Sequence, residues 1–252
     1  MINNASRNNP RFQLPEPGIF QANGPDDPLP YYYKPLVGSI YRARIEQALS
    51  LLDPPYESIL ELGYGSGILL PSLCALGTSV SGVDLQSDPE QVGLCLDKVG
   101  VTCTLIQGDA ADVRFREQSF DLVVAISIFE HISDLTPLLK QIHRLLSPSG
   151  RLLVGMPRVD HMMTRAFSLI GFDDIDNHHV TDYKTCRRAA AGHFELIATN
   201  HIPAIAPEVL GLYFNMLFQK KLLAEPDKWS LAETPGGNYS DLCPLPSVLC
   251  YG

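Results

Sequence analysis

The 252-residue chain is predicted to adopt an α/β fold, in which a doubly wound, mostly parallel sheet carries helices on both faces. Between Ile59 and Met156 short apolar runs alternate with helix-like segments, a pattern typical of parallel strands joined by right-handed crossovers. A turn over residues 63–67, with glycine at every second position, follows the first run. Acidic residues close the next two runs, at Asp84 and Asp109. These features predict a ligand site at the carboxyl edge of the sheet.

The order of the elements supports this fold class. A helix is predicted from about Leu36 to Leu52 and ends before Pro54-Pro55, since proline interrupts helices. A second apolar helix, Ile68 to Leu76, follows the glycine turn. Six segments read as strands from their apolar and β-branched content: 59–62, 80–85, 101–107, 120–126, 151–156 and 194–202.

The spacing of the glycines narrows the class of ligand. Without Cβ atoms, glycines reach positive φ and let a ligand approach the backbone closely. A dinucleotide fingerprint places its third glycine three residues after the second, and Ile68 occupies that position. A nicotinamide-dependent oxidoreductase is therefore disfavoured, although it stays open as an alternative. A tight strand-to-helix turn without any ligand is the other alternative.

Glu61, two residues before Gly63, completes a motif that resembles motif I of the class I S-adenosylmethionine-dependent methyltransferases. The segment from Ser127 to Ile132, with its Glu-His pair, is similar to the family's strand-4 segment. The resemblance covers roughly residues 36 to 202. It implies seven strands in the order 3-2-1-4-5-7-6, with an antiparallel seventh strand that we expect at 247–251.

The resemblance also implies a set of cofactor-binding residues for S-adenosylmethionine. Asp84 would accept hydrogen bonds from the ribose, and Asp109 with Ala110 would face the adenine. Tyr64 stands where many relatives carry a small residue or cysteine, and its side chain is free to point away from the loop. The expected cofactor-binding residues are Glu61, Gly63, Tyr64, Gly65, Gly67, Asp84, Leu85, Asp109, Ala110 and Ser127.

Two histidines are the candidate catalytic residues. His131, in the Glu130-His131 pair, follows strand four near the expected methyl group, and histidine suits proton removal near neutral pH. A structural role for this pair is equally compatible with its position. His179 belongs to a polar cluster after strand five, where relatives build the acceptor side. No metal site is expected, because no matching carboxylate cluster accompanies the histidines.

Composition restricts the partners of the chain. It carries 28 acidic and 19 basic residues, a net charge of −9, and no run of Lys or Arg. Since nucleic-acid-binding proteins usually present a basic stripe, a DNA or RNA partner is not expected. No apolar stretch of roughly 18 residues is present, so no membrane span is expected. The six cysteines lack metal-like spacing, which favours the cytoplasm over a disulfide-rich compartment.

The domain organisation is predicted as a flexible arm over residues 1–30 and a single domain over 31–252. A helical insertion is expected at 203–246, with an apolar helix at about 207–224. Such a helix would cover the end of the domain, line an apolar substrate pocket or form the interface of a homodimer.

The predicted activity is methyl transfer from S-adenosylmethionine to an O, N or C atom of a small molecule. The apolar insertion favours a hydrophobic or aromatic acceptor. A non-catalytic protein that retains the cofactor pocket is the second alternative to an active transferase, beside the oxidoreductase.

Overall fold

The computed structural model describes residues 10–24, 27–158 and 180–222, which contain a seven-stranded sheet. The strands in chain order are β1 (Tyr56–Leu62), β2 (Gly77–Asp84), β3 (Thr104–Gln107), β4 (Phe120–Ile126), β5 (Leu146–Pro157), β6 (Phe194–Ile202) and β7 (Tyr213–Lys220). Across the sheet they run β3-β2-β1-β4-β5-β7-β6. The first five strands are parallel, and β7 is antiparallel to both β5 and β6. The predicted fold class and strand order are confirmed.

Helices cover both faces of the sheet. They are α1 (Leu29–Tyr32), α2 (Val37–Leu49), α3 (Leu70–Cys74), α4 (Pro89–Asp97), α5 (Thr136–Leu145) and α6 (Tyr183–Ala190). The helices α2, α3 and α4 bury their apolar residues with Ile59 on one face, while α5 and α6 pack with Leu60 on the other. Within the described residues no helix is long and apolar enough to cross a membrane.

Two helices begin with an aspartate as their N-cap residue. Asp88 precedes α4, and its carboxylate accepts a hydrogen bond from the Glu90 amide at 2.9 Å. Asp182 precedes α6 and accepts from the Thr185 amide at 2.6 Å. An aspartate at this position satisfies amides that have no partner within the helix, and it therefore specifies where each helix starts.

The prediction of a helix at 207–224 is wrong. Residues 208–210 form a single 3₁₀ turn, and Tyr213–Lys220 form β7 between β5 and β6. Leu217 packs into the core on the α2 side, whereas Met216 and Phe218 pack into the core on the α5 side. A strand buried on both faces is apolar at every position, so its sequence cannot be told from a buried helix by periodicity.

This correction changes three related predictions. The seventh strand is β7 and not residues 247–251, which lie outside the described residues. The helical insertion at 203–246 starts as a loop and continues as β7, and its remainder from 223 is not described. A homodimer through the 207–224 helix loses its basis, because the apolar surface that suggested it is buried inside the sheet.

The flexible arm predicted over residues 1–30 is also wrong for the part that the structure describes. Phe12 and Phe20 are 8% and 4% exposed and belong to the core on the α2 side. The Gln13 amide donates to Ser72 Oγ at 2.8 Å, and the Tyr33 hydroxyl donates to the Pro15 carbonyl at 3.1 Å. The proline-rich composition suggested disorder, but two aromatic side chains bury enough surface to hold the segment in place.

A pair of alanine variants tests the position of β7. Phe218 is 1% exposed in the core, and Val209 is 67% exposed in the preceding loop. We expect Phe218→Ala to lower the free energy of unfolding by about 3–5 kcal/mol, because it leaves a cavity. Val209→Ala should change it by less than about 0.5 kcal/mol. Urea titration measures both values, and equal effects would contradict the assignment of the strand.

Candidate functional site

The glycine turn after β1 adopts a conformation that only glycine tolerates. Gly63, Gly65 and Gly67 all have positive φ, at 72°, 52° and 83°. The Gly63 amide donates to the Val83 carbonyl at 2.7 Å, which holds the turn against β2. A Cβ on Gly63 would lie 1.9 Å from Ile128 Cδ1. The turn therefore packs directly against the segment that follows β4.

Asp84 fixes the geometry between this turn and the end of β2. Its Oδ2 accepts from the Gly65 amide at 2.9 Å. Its Oδ1 accepts from the Gln86 amide at 2.9 Å and from the Ser87 amide at 2.8 Å. A carboxylate offers about four acceptor positions, so the side chain keeps capacity for a further donor. The carboxylate is thus held rigidly beside the glycine turn before any ligand arrives.

Glu61 is a buried acid without a complete set of partners. Its side chain lies at the end of β1, and Oε2 is buried and makes no hydrogen bond. Burial raises the pKa of Glu61 well above its usual value, and the nearby Asp84 and Cys74 add to the effect. Because an unpaired buried carboxyl is costly, this atom is a candidate for contact with a donor or cationic group of a ligand.

Tyr64 fills space beneath the turn. Its ring packs against Gly82, where a Cβ would lie 2.8 Å from Tyr64 Cδ1, and its hydroxyl donates to the Ser87 carbonyl at 3.3 Å. Burial, followed by the charges of Asp84 and Asp88, raises the pKa of Tyr64. The side chain is buried in the core, and it therefore acts as a support of the turn on the β2 side.

The residues expected around the adenine lie at the ends of β2 and β3. Leu85 is 65% exposed although it is apolar. Asp109 is exposed, and its Oδ1 accepts from the Ala111 amide at 2.8 Å. Ala110 is half-buried. The Gly108 amide donates to the Asp84 carbonyl at 2.8 Å, so the two strand ends are adjacent. Together they form an open, partly apolar surface beside Asp84.

Ser127 lies at the end of β4 in a strained conformation. Its φ is 57°, which is unusual for a residue other than glycine, and its amide donates to the Gly155 carbonyl at 2.7 Å. Its Oγ lies 3.0 Å from the Tyr213 hydroxyl and accepts from Arg44 at 3.2 Å. Strain of this kind occurs most often where a side chain must be aimed into a site.

Arg44 brings a positive charge to the same edge of the sheet. Its guanidinium donates to the Tyr32 hydroxyl at 2.9 Å and stands 4.4 Å from the centroid of the Tyr41 ring. Its Nε is buried and makes no hydrogen bond. No carboxylate of the described residues lies within 4.0 Å of it. A buried guanidinium that forms no salt bridge within this distance is suited to binding an anionic group of a ligand.

Glu130 is the buried acid of this cluster. It is 1% exposed, one of its oxygens makes no hydrogen bond, and the Ser127 side chain hydrogen-bonds to its carboxylate. Burial raises the pKa of Glu130 to about 7, although Arg44 and Ser127 oppose the shift. Its backbone carbonyl accepts from the Val180 amide at 2.7 Å. An acid with such a pKa can accept a proton under physiological conditions.

The predicted site residues fall into three groups. The structure brings together seven of them at the carboxyl edge of β1, β2 and β4, namely Glu61, Gly63, Tyr64, Gly65, Gly67, Asp84 and Ser127. Leu85, Asp109 and Ala110 border that group. His131 has an exposed side chain on the 3₁₀ turn Phe129–His131, whereas Glu130 in the same turn is buried. His179 lies outside the described residues.

Comparison with known proteins finds a family model that matches the central part of the chain. A family model described as a methyltransferase domain matches residues 60–154, the part that contains the glycine turn, Asp84, Asp109 and Ser127. This segment of the chain is therefore similar to a methyltransferase domain.

Curated relatives of this methyltransferase domain share part of its length. The ubiquinone biosynthesis O-methyltransferase of Xanthomonas axonopodis pv. citri is 31% identical over 145 residues, which are 54% of each chain. A sterol 4-C-methyltransferase of Caenorhabditis elegans is 25% identical over 129 residues, 50% of this chain and 35% of that protein. The chain spans about half or less of the length of these relatives.

Solved structures share the fold of the domain. The N-methyltransferase NodS from Bradyrhizobium japonicum, in complex with S-adenosyl-L-homocysteine, superposes with a TM-score of 0.57 at 16% identity, covering 80% of this chain and 95% of NodS. A putative sarcosine dimethylglycine methyltransferase from Galdieria sulphuraria also gives 0.57, at 15% identity, covering 76% and 90%. The architecture of the methyltransferase domain is therefore the class I architecture.

Sequence reasoning missed Tyr213 and chose His131, rather than Glu130, as the candidate catalytic residue. Tyr213 falls in the segment predicted as a helix, so its position beside Ser127 could not be anticipated. Arg44 lies just before the predicted core, where the family that the chain resembles often closes a lid over the cofactor, but nothing in its sequence context signals that its Nε is buried. Of the Glu130-His131 pair, the structure buries the glutamate in the candidate site.

The pH dependence of stability tests the burial of Glu130. Because burial raises its pKa from 4.5 to about 7, the unfolded chain loses this proton at lower pH than the folded chain. The associated stability is present below about pH 4.5 and is lost as the pH rises to about 7, a loss of about 3 kcal/mol. We expect Glu130→Gln to gain stability relative to the wild type over this window, measured by urea titration at each pH. Parallel pH profiles for the two proteins would contradict the assignment.

No three His, Cys, Asp or Glu side chains come together as metal ligands in the described parts of the chain.

Proposed function

We propose that this chain transfers a methyl group from S-adenosylmethionine to an oxygen, nitrogen or carbon atom of a small molecule. The observation that carries the proposal is the glycine turn at Gly63–Gly67, held open beside the Asp84 carboxylate at the carboxyl edge of the sheet. The family match to residues 60–154 supports the reaction type. It gives no support to the nicotinamide-dependent alternative.

The residues present fit the nucleoside half of this cofactor. The remaining acceptor position of Asp84 suits a ribose hydroxyl, which is a neutral donor. The exposed side chain of Leu85 provides an apolar surface for a flat base, and Asp109 with Ala110 lies on the adjacent strand end. In these roles the three residues would recognise an adenosine moiety.

The fit extends to the amino-acid half of the cofactor, whose two charged groups match two orphaned polar atoms. The unpaired Oε2 of Glu61 would accept from the ammonium group, which would also favour the ionised carboxylate. The unpartnered guanidinium edge of Arg44 would donate to the carboxylate. Both atoms are buried in the apo chain at a cost that a ligand of this charge pattern removes.

The bound cofactor supplies a methyl group that is already activated on a sulfonium. The protein therefore has to align the acceptor and exclude water. An acceptor with an O–H or N–H group must also lose a proton. Glu130 lies where it can take this proton through the Ser127 hydroxyl, and a pKa of about 7 suits this role. We assign the proton acceptor to Glu130 in preference to His131 or His179.

The acceptor is proposed to be hydrophobic. The loop before β7 exposes three apolar side chains, Ile205, Val209 and Leu210, and the antiparallel β7 places this loop at the carboxyl edge of β5. Exposed apolar clusters often mark ligand surfaces. The names of two relatives, a ubiquinone biosynthesis O-methyltransferase and a sterol 4-C-methyltransferase, refer to lipophilic compounds. We further propose a cytoplasmic location, because the described cysteines are free thiols.

Titration with S-adenosylhomocysteine tests the cofactor assignment. Calorimetry should show micromolar binding to the wild type, and thermal stability should rise with ligand concentration. Asp84→Ala should weaken the affinity by about 1.5–3 kcal/mol, because the loop amides lose their hydrogen-bond acceptor and the ribose hydroxyl loses its acceptor as well. Absence of binding at millimolar ligand would overturn the proposal.

Turnover separates an active transferase from a non-catalytic binder. The wild type is incubated with isotope-labelled S-adenosylmethionine and a panel of catechol, sterol and amine acceptors. Label transferred to an acceptor supports the proposed enzyme, and Glu130→Gln should lower the rate with O–H acceptors while S-adenosylhomocysteine affinity is kept. Tight binding of the cofactor without transfer to any acceptor class would favour the non-catalytic protein.

A further inference from the structure

Two cysteines meet on the face of the sheet that α3 covers. Cys74 is the last residue of α3, and Cys103 immediately precedes β3. Their Sγ atoms lie 3.3 Å apart, and both residues are half-buried. The other two described cysteines, Cys95 and Cys186, are buried and lie elsewhere in the core. Cys74 and Cys103 are therefore a preformed dithiol that a small reagent can approach.

We propose that Cys74 and Cys103 form a modification site, at which thiol–disulfide exchange with a low-molecular-weight disulfide such as glutathione disulfide converts the two thiols into an intramolecular disulfide. This inference goes beyond methyl transfer and does not depend on it. It concerns covalent chemistry of the chain itself.

The thiol–disulfide exchange takes place in two steps that conserve atoms and electrons. The Cys74 thiolate attacks one sulfur of glutathione disulfide, so that a mixed disulfide forms and one glutathione thiolate leaves. The Cys103 thiol then loses its proton and attacks Cys74 Sγ, which releases the second glutathione. The two protein thiols are oxidised, and one glutathione disulfide is reduced to two molecules of glutathione.

The surroundings assign the attacking role to Cys74. The hydrogen bond between the two sulfur atoms lowers the pKa of Cys74, although burial opposes this, and the same hydrogen bond together with burial raises the pKa of Cys103. The thiolate is the nucleophile in exchange, so the residue whose thiolate is stabilised reacts first. The buried Glu61 carboxyl lies near the pair, and its charge adds to the rise in the pKa of Cys103.

The bond would join two elements that are distant in sequence, since residues 74 and 103 are 29 positions apart. It would attach α3, which follows the glycine turn, to the start of the edge strand β3. Separations of this size restrict the unfolded chain substantially. The product should therefore persist until a thiol reductant is added.

Peptide mapping of the full chain tests the proposal. The native wild-type protein is incubated with excess glutathione disulfide, quenched with acid and alkylated, and its disulfides are located by mass spectrometry. We expect a peptide pair linked through Cys74 and Cys103 with no retained glutathione, and its loss on addition of dithiothreitol. Cys95→Ala, a matched control at a buried cysteine of α4, should give the same product.

Single variants test the order of the steps. Cys103→Ser cannot complete the exchange and should retain glutathione on Cys74, whereas Cys74→Ser should retain none on Cys103. Circular dichroism confirms that each variant is folded. The proposal is overturned if both thiols stay free in the wild type, if glutathione remains bound there, or if either cysteine pairs with Cys243 or Cys250. The proposal is also overturned if the Cys103→Ser variant retains no glutathione on Cys74.

Discussion

Gly63→Ala is expected to lower the free energy of unfolding by about 3–5 kcal/mol. This value adds the cost of holding alanine in a left-handed conformation to the cost of overpacking its Cβ. The new Cβ would lie 1.9 Å from Ile128 Cδ1, in a residue whose φ is 72°. Because Ile128 follows Ser127 directly, relief of the clash must displace the strained end of β4. S-adenosylhomocysteine affinity should fall by about 3 kcal/mol, or roughly 150-fold. Urea titration and calorimetry measure the two effects.

Gly93→Ala is the matched control. Gly93 lies inside α4, and a Cβ there meets no atom within 4 Å. Alanine at this position should stabilise the chain by about 1 kcal/mol through helix propensity, with cofactor affinity unchanged. Gly63→Ala behaving like Gly93→Ala would show that the turn is not required in its observed conformation.

Arg44→Met is expected to weaken S-adenosylhomocysteine binding by about 1.5–3 kcal/mol, roughly 10- to 150-fold, because charge-assisted hydrogen bonds to the ligand carboxylate are lost. The free energy of unfolding should change by only about 1 kcal/mol, since the guanidinium has no acidic partner among the described residues and methionine fills similar space. Adenosine, which lacks the amino-acid half, should bind wild type and variant equally.

Arg42→Met provides the comparison within the same helix. Arg42 donates to the Tyr32 carbonyl at 2.6 Å, whereas Arg44 donates to the Tyr32 hydroxyl. Arg42→Met should retain S-adenosylhomocysteine affinity while showing a similar change in stability. If Arg44→Met weakens adenosine as much as S-adenosylhomocysteine, the carboxylate assignment is wrong and Arg44 supports the site only through packing.

The parallel half of the sheet was predictable because its signals are local. β4 was predicted with its exact bounds, and the glycine turn with Asp84 marks the ends of β1 and β2 without tertiary information. Each of these features follows from backbone conformation or from the end of an apolar run. The cofactor half of the site could therefore be anticipated, although the individual roles of its residues stay proposals.

The acceptor half could not be predicted, because its signals depend on tertiary structure. The apolar run around Phe218 is compatible with a buried helix, and only its pairing with β5 and β6 makes it a strand. Tyr213 reaches Ser127 across 86 residues of sequence, a contact that no local pattern encodes. Likewise, Phe12 and Phe20 hold the first segment in place through packing that composition alone does not reveal.

The topology of the last two strands has a consequence for how the site is completed during synthesis. β6 hydrogen-bonds to β7 and to no other strand of the sheet, so it cannot dock until the later segment has emerged. A nascent chain that stops short of residue 213 lacks Tyr213 and leaves β6 without a pairing partner. Truncation anywhere in β7 thus removes two strands together, and a translation product that ends early cannot assemble the acceptor side of the sheet.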